Sequence, residues 1–283
     1  MGGLGNQMFQ YAFYIAQSSQ YKHIYYDANT LYEEMQKMGR GTIFDCFTLE
    51  GPKRTLNHKI GQRCISLLHG KHPYFFSKLF RKAHSWHNDT QVEKYLVEEA
   101  TASDGYYEGY WQSEKYFDGC QEKVRAAFQI KNPLPEQSEK YLSMIRNEEN
   151  PVSIHLRLGD YLTPENKALF GNICTEYYYF KAISYIQGQI PNAKFFIFSN
   201  DIEQAKSLFS NYNCVFVEGN DEKNGWADMY LMSQCKHNII ANSSFSWWGA
   251  WLNVNPAKIV TAPQRWLNTS KTPDICPDDW IRI

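Results

Sequence analysis

A histidine and an arginine two residues apart, in His155-Leu-Arg157-Leu-Gly-Asp-Tyr161, are the first place where this sequence could do chemistry. They end an apolar run, and strand alternation sends both side chains to one face. A guanidinium leaving an apolar strand must find an anion or a carboxylate, because a buried unpaired charge is very costly. Its fork of N–H donors matches a diphosphate through two parallel bonds. An ion pair between Arg157 and Asp160 would meet the same need within the protein. A second candidate is Asn242-Ser-Ser-Phe-Ser246, where a strand turns into a helix. Serines there cap helices, and the same geometry aims hydroxyls and backbone N–H groups at a phosphate. Trp247 and Trp248, which follow in that helix, are expected to pack in the core. The third candidate is Gly2-Gly-Leu-Gly-Asn6-Gln7, whose glycines allow close backbone approach ahead of a helix. No Lys-Ser/Thr follows, so it is not a Walker loop, and it is not G-x-G-x-x-G. Taken alone, such a turn is a plain helix start more often than a ligand loop. No D-x-D triplet occurs, the nearest being Asp201-Ile-Glu203. Without paired carboxylates to hold Mg²⁺ or Mn²⁺, a leaving diphosphate would rest on Arg157 and helix amino ends, which favours metal-free chemistry.

These residues need a scaffold, and the second half of the chain supplies one. Strands are expected over 152–158, 194–198, 214–217, 238–241 and 259–261, the last being the final strand. Helices are expected between them over 176–187, 202–209, 226–233 and 245–252. Such alternation predicts a parallel, doubly wound α/β sheet, which binds ligands beyond the carboxyl ends of its strands. The residues at four of those ends are His155 to Asp160, Ser199-Asn-Asp201, Glu218-Gly-Asn220 and Asn242-Ser-Ser244. All four ends are polar in character, as the lining of a nucleotide crevice would be, although polar loops are also the default in any α/β protein. Proline pairs and charge clusters over 131–151 bracket a polar helix and suggest a domain boundary, giving units 1–145 and 146–283. Upstream, a helix over 8–16, a strand over 23–26 and an amphipathic helix over 56–68 suggest a second α/β domain with long loops.

Composition removes several alternatives. With 29 basic and 30 acidic residues the net charge is −1, which offers no general attraction to nucleic acid or an anionic membrane. The apolar runs are far shorter than a membrane span and the first residues do not read as a secretory signal. A soluble, cytoplasmic protein without an anchor is the expectation. Seven scattered cysteines with no C-x-x-C pair argue for reduced core thiols over a disulfide framework or zinc site. Aromatic residues make up 16 % of the chain. Most will fill the core, but an excess of flat rings also suits a sugar or nucleobase binder.

The motifs at Gly2 to Ala12, His155 to Tyr161, Phe198 to Asp201, Asp228-Met and Asn242 to Trp251 together resemble the α-1,2-fucosyltransferases of glycosyltransferase family 11. The similarity spans nearly the whole chain in matching order. It implies a GT-B-like architecture of two facing α/β domains, with the acceptor side in the first and GDP-fucose on the second. It implies a metal-independent, inverting transfer of L-fucose to the 2-hydroxyl of a galactoside, with no cofactor. Arg157 would hold the diphosphate with His155 beside the donor, while Asn242, Ser243, Ser244 and Phe245 match the motif that cradles the β-phosphate. Asp201 looks like the acid near the guanine, and Asn6 like the asparagine that faces the donor from the other domain. The implied partners are GDP-fucose and a galactose-terminated oligosaccharide, with no nucleic acid, and with membrane association only through a glycolipid acceptor. The sequence departs from the family pattern twice. The second basic residue of H-x-R-R-G-D is Leu158 here, so its charge must come from elsewhere. Family members usually carry a short hydrophobic strand before the glycine-rich turn, and this chain begins at that turn.

The mechanism expected from the resemblance is charge stabilisation. Arg157 and the helix start at Ser243 to Phe245 would bind the departing β-phosphate most tightly in the transition state. Asp160 and Glu165 are the candidates, by position, for the base that takes the acceptor's proton. A transferase for another nucleotide sugar is the alternative enzyme. A carbohydrate-binding protein using the Tyr- and Trp-rich segment 106–116 is the alternative outside catalysis, and it leaves His155 and Arg157 without a purpose.

Overall fold

The computed structural model describes residues 2–21, 24, 26, 28–49, 86–89, 95, 106–157, 164–221, 223–269 and 274–283. The chain forms two compact units, one of Asn6–Gln129 and one of Gly2–Gly5 with Ile130–Ile283.

The second unit is built on a six-stranded, wholly parallel sheet. Its strands are β3 (Pro151–Leu156), β4 (Lys194–Ser199), β5 (Cys214–Phe216), β6 (His237–Ile239), β7 (Val260–Ala262) and β8 (Ile281–Arg282). They lie in the order β5-β4-β3-β6-β7-β8, so the winding reverses between β3 and β6. At such a reversal the connections leave in opposite directions and a crevice opens at the carboxyl edge. The expected strands are all present with ends moved by one or two residues, and β8 is an addition. Two paired residues carry no periodicity, so only their pairing with Thr261 and Ala262 reveals that strand.

Every residue of β3 is buried, as the centre of a covered parallel sheet requires. On one face Val152, Ile154 and Leu156 pack with Tyr178, Tyr179, Ala182, Ile183 and Ile186 of α7 (Glu176–Gln189) and with Ala205 and Phe209 of α8 (Ile202–Phe209). The opposite face holds polar groups that are satisfied internally. Asn238 donates to Ser153 Oγ at 2.7 Å and to the Met232 carbonyl at 2.9 Å, and its own oxygen accepts from Asn253 at 2.8 Å. Met232 belongs to α9 (Gly225–Gln234), which packs against α10 (Ser244–Leu252). The polar helix expected near the domain boundary is α5 (Glu136–Asn147), which buries Ser138, Tyr141, Leu142 and Ile145 and lies against α9 within the second unit. A further short helix, α6, spans Pro164–Phe170.

Helix α1 (Leu4–Gln20) opens with Leu4 and Gly5 of the second unit, and the rest of it lies in the first unit, where it buries Met8, Phe9, Tyr11, Ala12, Phe13 and Ala16. The other elements are α2 (Ala28–Lys37), α3 (Ile43–Cys46), a parallel pair β1 (Trp86–Asp89) and β2 (Tyr106–Gly109), and α4 (Gln121–Ala127). The Tyr11 ring meets Phe44 edge-on at 5.8 Å and Phe128 at 6.2 Å, so aromatic packing closes this core. The helix expected over 56–68 lies outside the described residues. So does the strand expected over 23–26, apart from Ile24 and Tyr26, which belong to no strand. Among the described residues no helix is long and apolar enough to cross a membrane.

The buried amide of Asn238 couples β3, β6 and α9. Asn238→Ala strands Ser153 Oγ and the Met232 carbonyl and should lower unfolding stability by roughly 2–4 kcal/mol. Urea denaturation of both proteins, followed by circular dichroism, measures the loss.

Candidate functional site

The carboxyl ends of β3 and β6 bound the crevice, and both carry polar residues there. His155 is the last polar side chain of β3 and is 4 % exposed. Its ring lies 5.4 Å from that of Phe245, the second residue of α10, and its carbonyl accepts from Tyr179 Oη at 3.0 Å. The imidazole Nδ1 is buried with no hydrogen-bond partner among the described residues. Burial, reinforced by the nearby Arg157 guanidinium, pushes the His155 pKa down to about 3. The ring is therefore neutral at physiological pH and adds no charge of its own to that of Arg157. A neutral imidazole still offers one donor and one acceptor nitrogen.

At the end of β6 the chain turns through Asn242 and Ser243 into α10. Ser243 caps the helix, its Oγ accepting from the Phe245 N–H at 3.4 Å. Asn242 donates to the Phe170 and Trp266 carbonyls, each at 3.1 Å, and its oxygen accepts from Cys174 Sγ at 3.3 Å. Its amide is thus engaged by the protein, and its contribution is to fix where Ser243 and Ser244 sit. Trp247 and Trp248 are fully buried, as expected, and the Trp248 indole donates to the Gly5 carbonyl at 2.9 Å. Gly5 is pressed onto the start of α10. A Cβ built there would stand 2.5 Å from the Ser244 carbonyl carbon and 2.7 Å from the Phe245 nitrogen. No side chain fits, so the glycine is required by this backbone contact. Residues Leu4 and Gly5 open α1, so two helix amino ends meet here. Neither helix carries an acidic residue in its first turn. Each end bears about half a positive charge, which favours an anion over a cation beside it.

A match of the profile for glycosyl transferase family 11 covers residues 1–283 of this sequence. The chain belongs to glycosyl transferase family 11. It is 35 % identical over 296 residues to an α-1,2-colitosyltransferase of Escherichia coli, covering 100 % of this chain and 96 % of that one. The O-antigen biosynthesis glycosyltransferase WbnK of Escherichia coli is 36 % identical over 178 residues, covering 62 % and 59 % of the two chains. Galactoside α-(1,2)-fucosyltransferase 1 of Ateles belzebuth is 26 % identical over 152 residues, covering 51 % of this chain and 42 % of its own. Among solved structures, a variant of Arabidopsis thaliana FUT1 in complex with GDP superposes with a TM-score of 0.48 at 12 % identity, over 98 % of this chain and 73 % of that one. NodZ α-1,6-fucosyltransferase soaked with GDP-fucose gives 0.42 at 12 % identity, over 88 % and 89 %.

In this family 11 transferase the other expected residues are distributed as follows. Asp201 follows β4 and caps α8, its carboxylate accepting from the Gln204 N–H at 3.1 Å while its backbone is held by Ser199 Oγ at 3.0 Å. Asn6 belongs to the first unit, where its Oδ1 accepts from Gln112 Nε2 at 2.6 Å. Asp160 lies outside the described residues, as does the side chain of Glu165, whose backbone is in the first turn of α6.

Asp228 had no assigned role in the sequence reading. It stands in α9 among Trp226, Ala227, Met229, Leu231 and Met232, all buried, and a lone carboxyl in so apolar a helix was the available signal. Gly225, one turn earlier, abuts the Phe245 ring: a Cβ there would lie 3.8 Å from it. The carboxylate accepts from Asn220 Nδ2 at 2.6 Å, and Asn220 Oδ1 accepts from Ser138 Oγ at 3.0 Å. Burial pushes the Asp228 pKa up to about 7, against the opposing effect of the Asn220 bond. The native protein therefore keeps a proton, between about pH 4 and pH 7, that the unfolded chain has lost. Stability from this group falls as pH rises through that window. Asp228→Asn keeps the bond from Asn220 and removes the titration, so its Tm relative to the wild type should be higher at pH 8 than at pH 4.5. Thermal melts at the two pH values test this, and a constant difference would contradict it.

Proposed function

We propose that this transferase moves L-fucose from GDP-fucose to the 2-hydroxyl of a terminal galactose in a β-galactoside, with inversion, giving an α-1,2 linkage. The observation that carries the reading is the meeting of two helix amino ends beside the exit of β3, at the point where the strand order reverses. That junction suits the diphosphate of a nucleotide sugar. The reading is of a GT-B-like enzyme whose second unit binds the donor.

In the reaction the galactose oxygen attacks the anomeric carbon as its bond to the β-phosphate oxygen breaks. The sugar gains oxocarbenium character, GDP departs with the electron pair, and the hydroxyl proton passes to a base. Arg157 and the amino ends at Gly5 and Ser244 stabilise the charge that grows on the β-phosphate, so they act more strongly in the transition state than on the bound donor. Neutral His155 hydrogen-bonds the donor without competing for that charge. Asp201 serves the guanine, Asn6 the donor, and Asp160 or Glu165 takes the proton. No metal is required in this scheme, because the cationic and amide groups do the work that a divalent ion does elsewhere.

A second reading rests on the relative matched over its whole length, which transfers colitose. Colitose is fucose without its 3-hydroxyl, so both donors would use the same diphosphate cradle and differ only where the sugar sits.

Purified protein incubated with lactose and either GDP-fucose or GDP-colitose, with EDTA present, tests both readings. The proposal expects a fucosyl product linked to the galactose 2-hydroxyl, and thermal stabilisation by GDP but not by UDP or CMP. Arg157→Ala should lower kcat about a hundredfold or more. Turnover of GDP-colitose alone would establish the second reading, and near-normal kcat in folded Arg157→Ala would remove the mechanism.

A further inference from the structure

Two consecutive tyrosines of α7 enter the carboxyl edge of the second unit's sheet where its strands part. The register of β3 with β6 runs from Val152 with His237 to Ile154 with Ile239 and stops one residue short of His155. The Lys236 N–H donates to the Pro151 carbonyl at 2.8 Å, so alternation turns the carbonyls of Pro151, Ser153 and His155 towards β6. A buried carbonyl beyond the last ladder pair must find another donor. For His155 that donor is the Tyr179 hydroxyl, at 3.0 Å. Tyr178 works on the other side of β6, donating to the Ile240 carbonyl and lying 3.4 Å from that of Thr261 in β7. Both tyrosines are buried, with their rings edge-on at 5.0 Å. Cys174, two residues ahead of α7, adds a second tie. Its Sγ donates to Asn242 Oδ1 and accepts from the Asn242 N–H, each at 3.3 Å. Burial pushes the Cys174 thiol up to about 12, opposed by the Asn242 N–H and the Tyr179 hydroxyl, so the sulfur keeps a proton to donate. The Tyr179 hydroxyl is thus shared by the carbonyl at the end of β3 and the thiol that holds the turn after β6.

We propose that Tyr179 and Cys174 are positioning residues for the donor's diphosphate, acting through His155 and Asn242. This rests on the reading that the diphosphate lies beside Arg157 and the start of α10. Where β3 and β6 stop pairing, the backbone no longer sets the distance between their ends. The hydroxyl and the thiol set it instead, and with it the place of Ser243 and Ser244 relative to His155. The guanine is assigned to Asp201, whose cap on α8 uses none of these bonds. Loosening the wedge therefore acts on the diphosphate and spares the base.

The test measures the binding of GDP and of guanosine, by titration calorimetry, to the full chain carrying Tyr179→Phe, Cys174→Ala or Cys174→Ser. Phenylalanine keeps the ring and removes the hydroxyl alone, while serine keeps a donor and an acceptor where alanine keeps neither. Tyr179→Phe and Cys174→Ala should each weaken GDP roughly three- to tenfold, the worth of one neutral hydrogen bond, and leave guanosine unchanged. Cys174→Ser should retain more of the GDP affinity than Cys174→Ala. If Tyr179→Phe does not fold, the two Cys174 variants decide the matter by the same comparison. An unchanged ratio of GDP to guanosine affinity in either folded variant, including an equal loss for both ligands, overturns the positioning role and leaves the diphosphate reading standing. Equal binding of GDP and guanosine by the wild type overturns that reading, and this inference with it.

Discussion

The contact between Gly5 and the start of α10 is the constraint on which the rest of the site depends. It brings the amino ends of two helices together, with a backbone approach too close for any side chain and the Trp248 indole holding the Gly5 carbonyl. Two like partial charges repel, and neither first turn supplies a carboxylate to neutralise them. The protein therefore maintains an unfavourable arrangement by packing. The buried pair Trp247 and Trp248 provides that packing, with Trp247 donating to the Ile275 carbonyl at 2.6 Å. An anion would turn the arrangement from a cost into a binding site.

The sheet places this junction. Because the strand order reverses between β3 and β6, the residues leaving those strands flank one crevice. One face of β3 is committed to the apolar core with α7 and α8, which leaves Ser153 and His155 to the other. Asn242 then ties the loop after β6 to the ends of α6 and the Trp266 segment, so Ser243 and Ser244 are held from several directions. Burial keeps His155 neutral beside Arg157, and the charge at the crevice stays that of the arginine.

Much of this was legible in the residues. Alternation in 152–158 indicated the strand, observed at Pro151–Leu156, and α8 spans the residues that its periodicity indicates, 202–209. The serines at 243 and 244 read as a helix cap or a phosphate loop. The structure shows the cap, and adds the close backbone contact of Gly5 with Ser244 and Phe245. That junction was not legible, since nothing local to Gly2–Gly5 says that it joins the unit formed by residues 130–283. Asp228 was missed because its environment is made by Asn220, Ser138 and the Phe245 side of α9, all distant in sequence or undirected by pattern. The role of Asn242 as a bracket likewise needed its partners at 170, 174 and 266.

Titration calorimetry of GDP and guanosine against the wild type and Gly5→Ala tests the junction most directly. If the two amino ends hold the diphosphate, GDP binds the wild type on the order of tenfold or more tighter than guanosine, with an advantage that shrinks as salt rises. Gly5→Ala, folded by circular dichroism, loses that advantage and keeps its affinity for guanosine. Equal binding of GDP and guanosine by the wild type, or an undiminished preference for GDP in folded Gly5→Ala, would contradict the account.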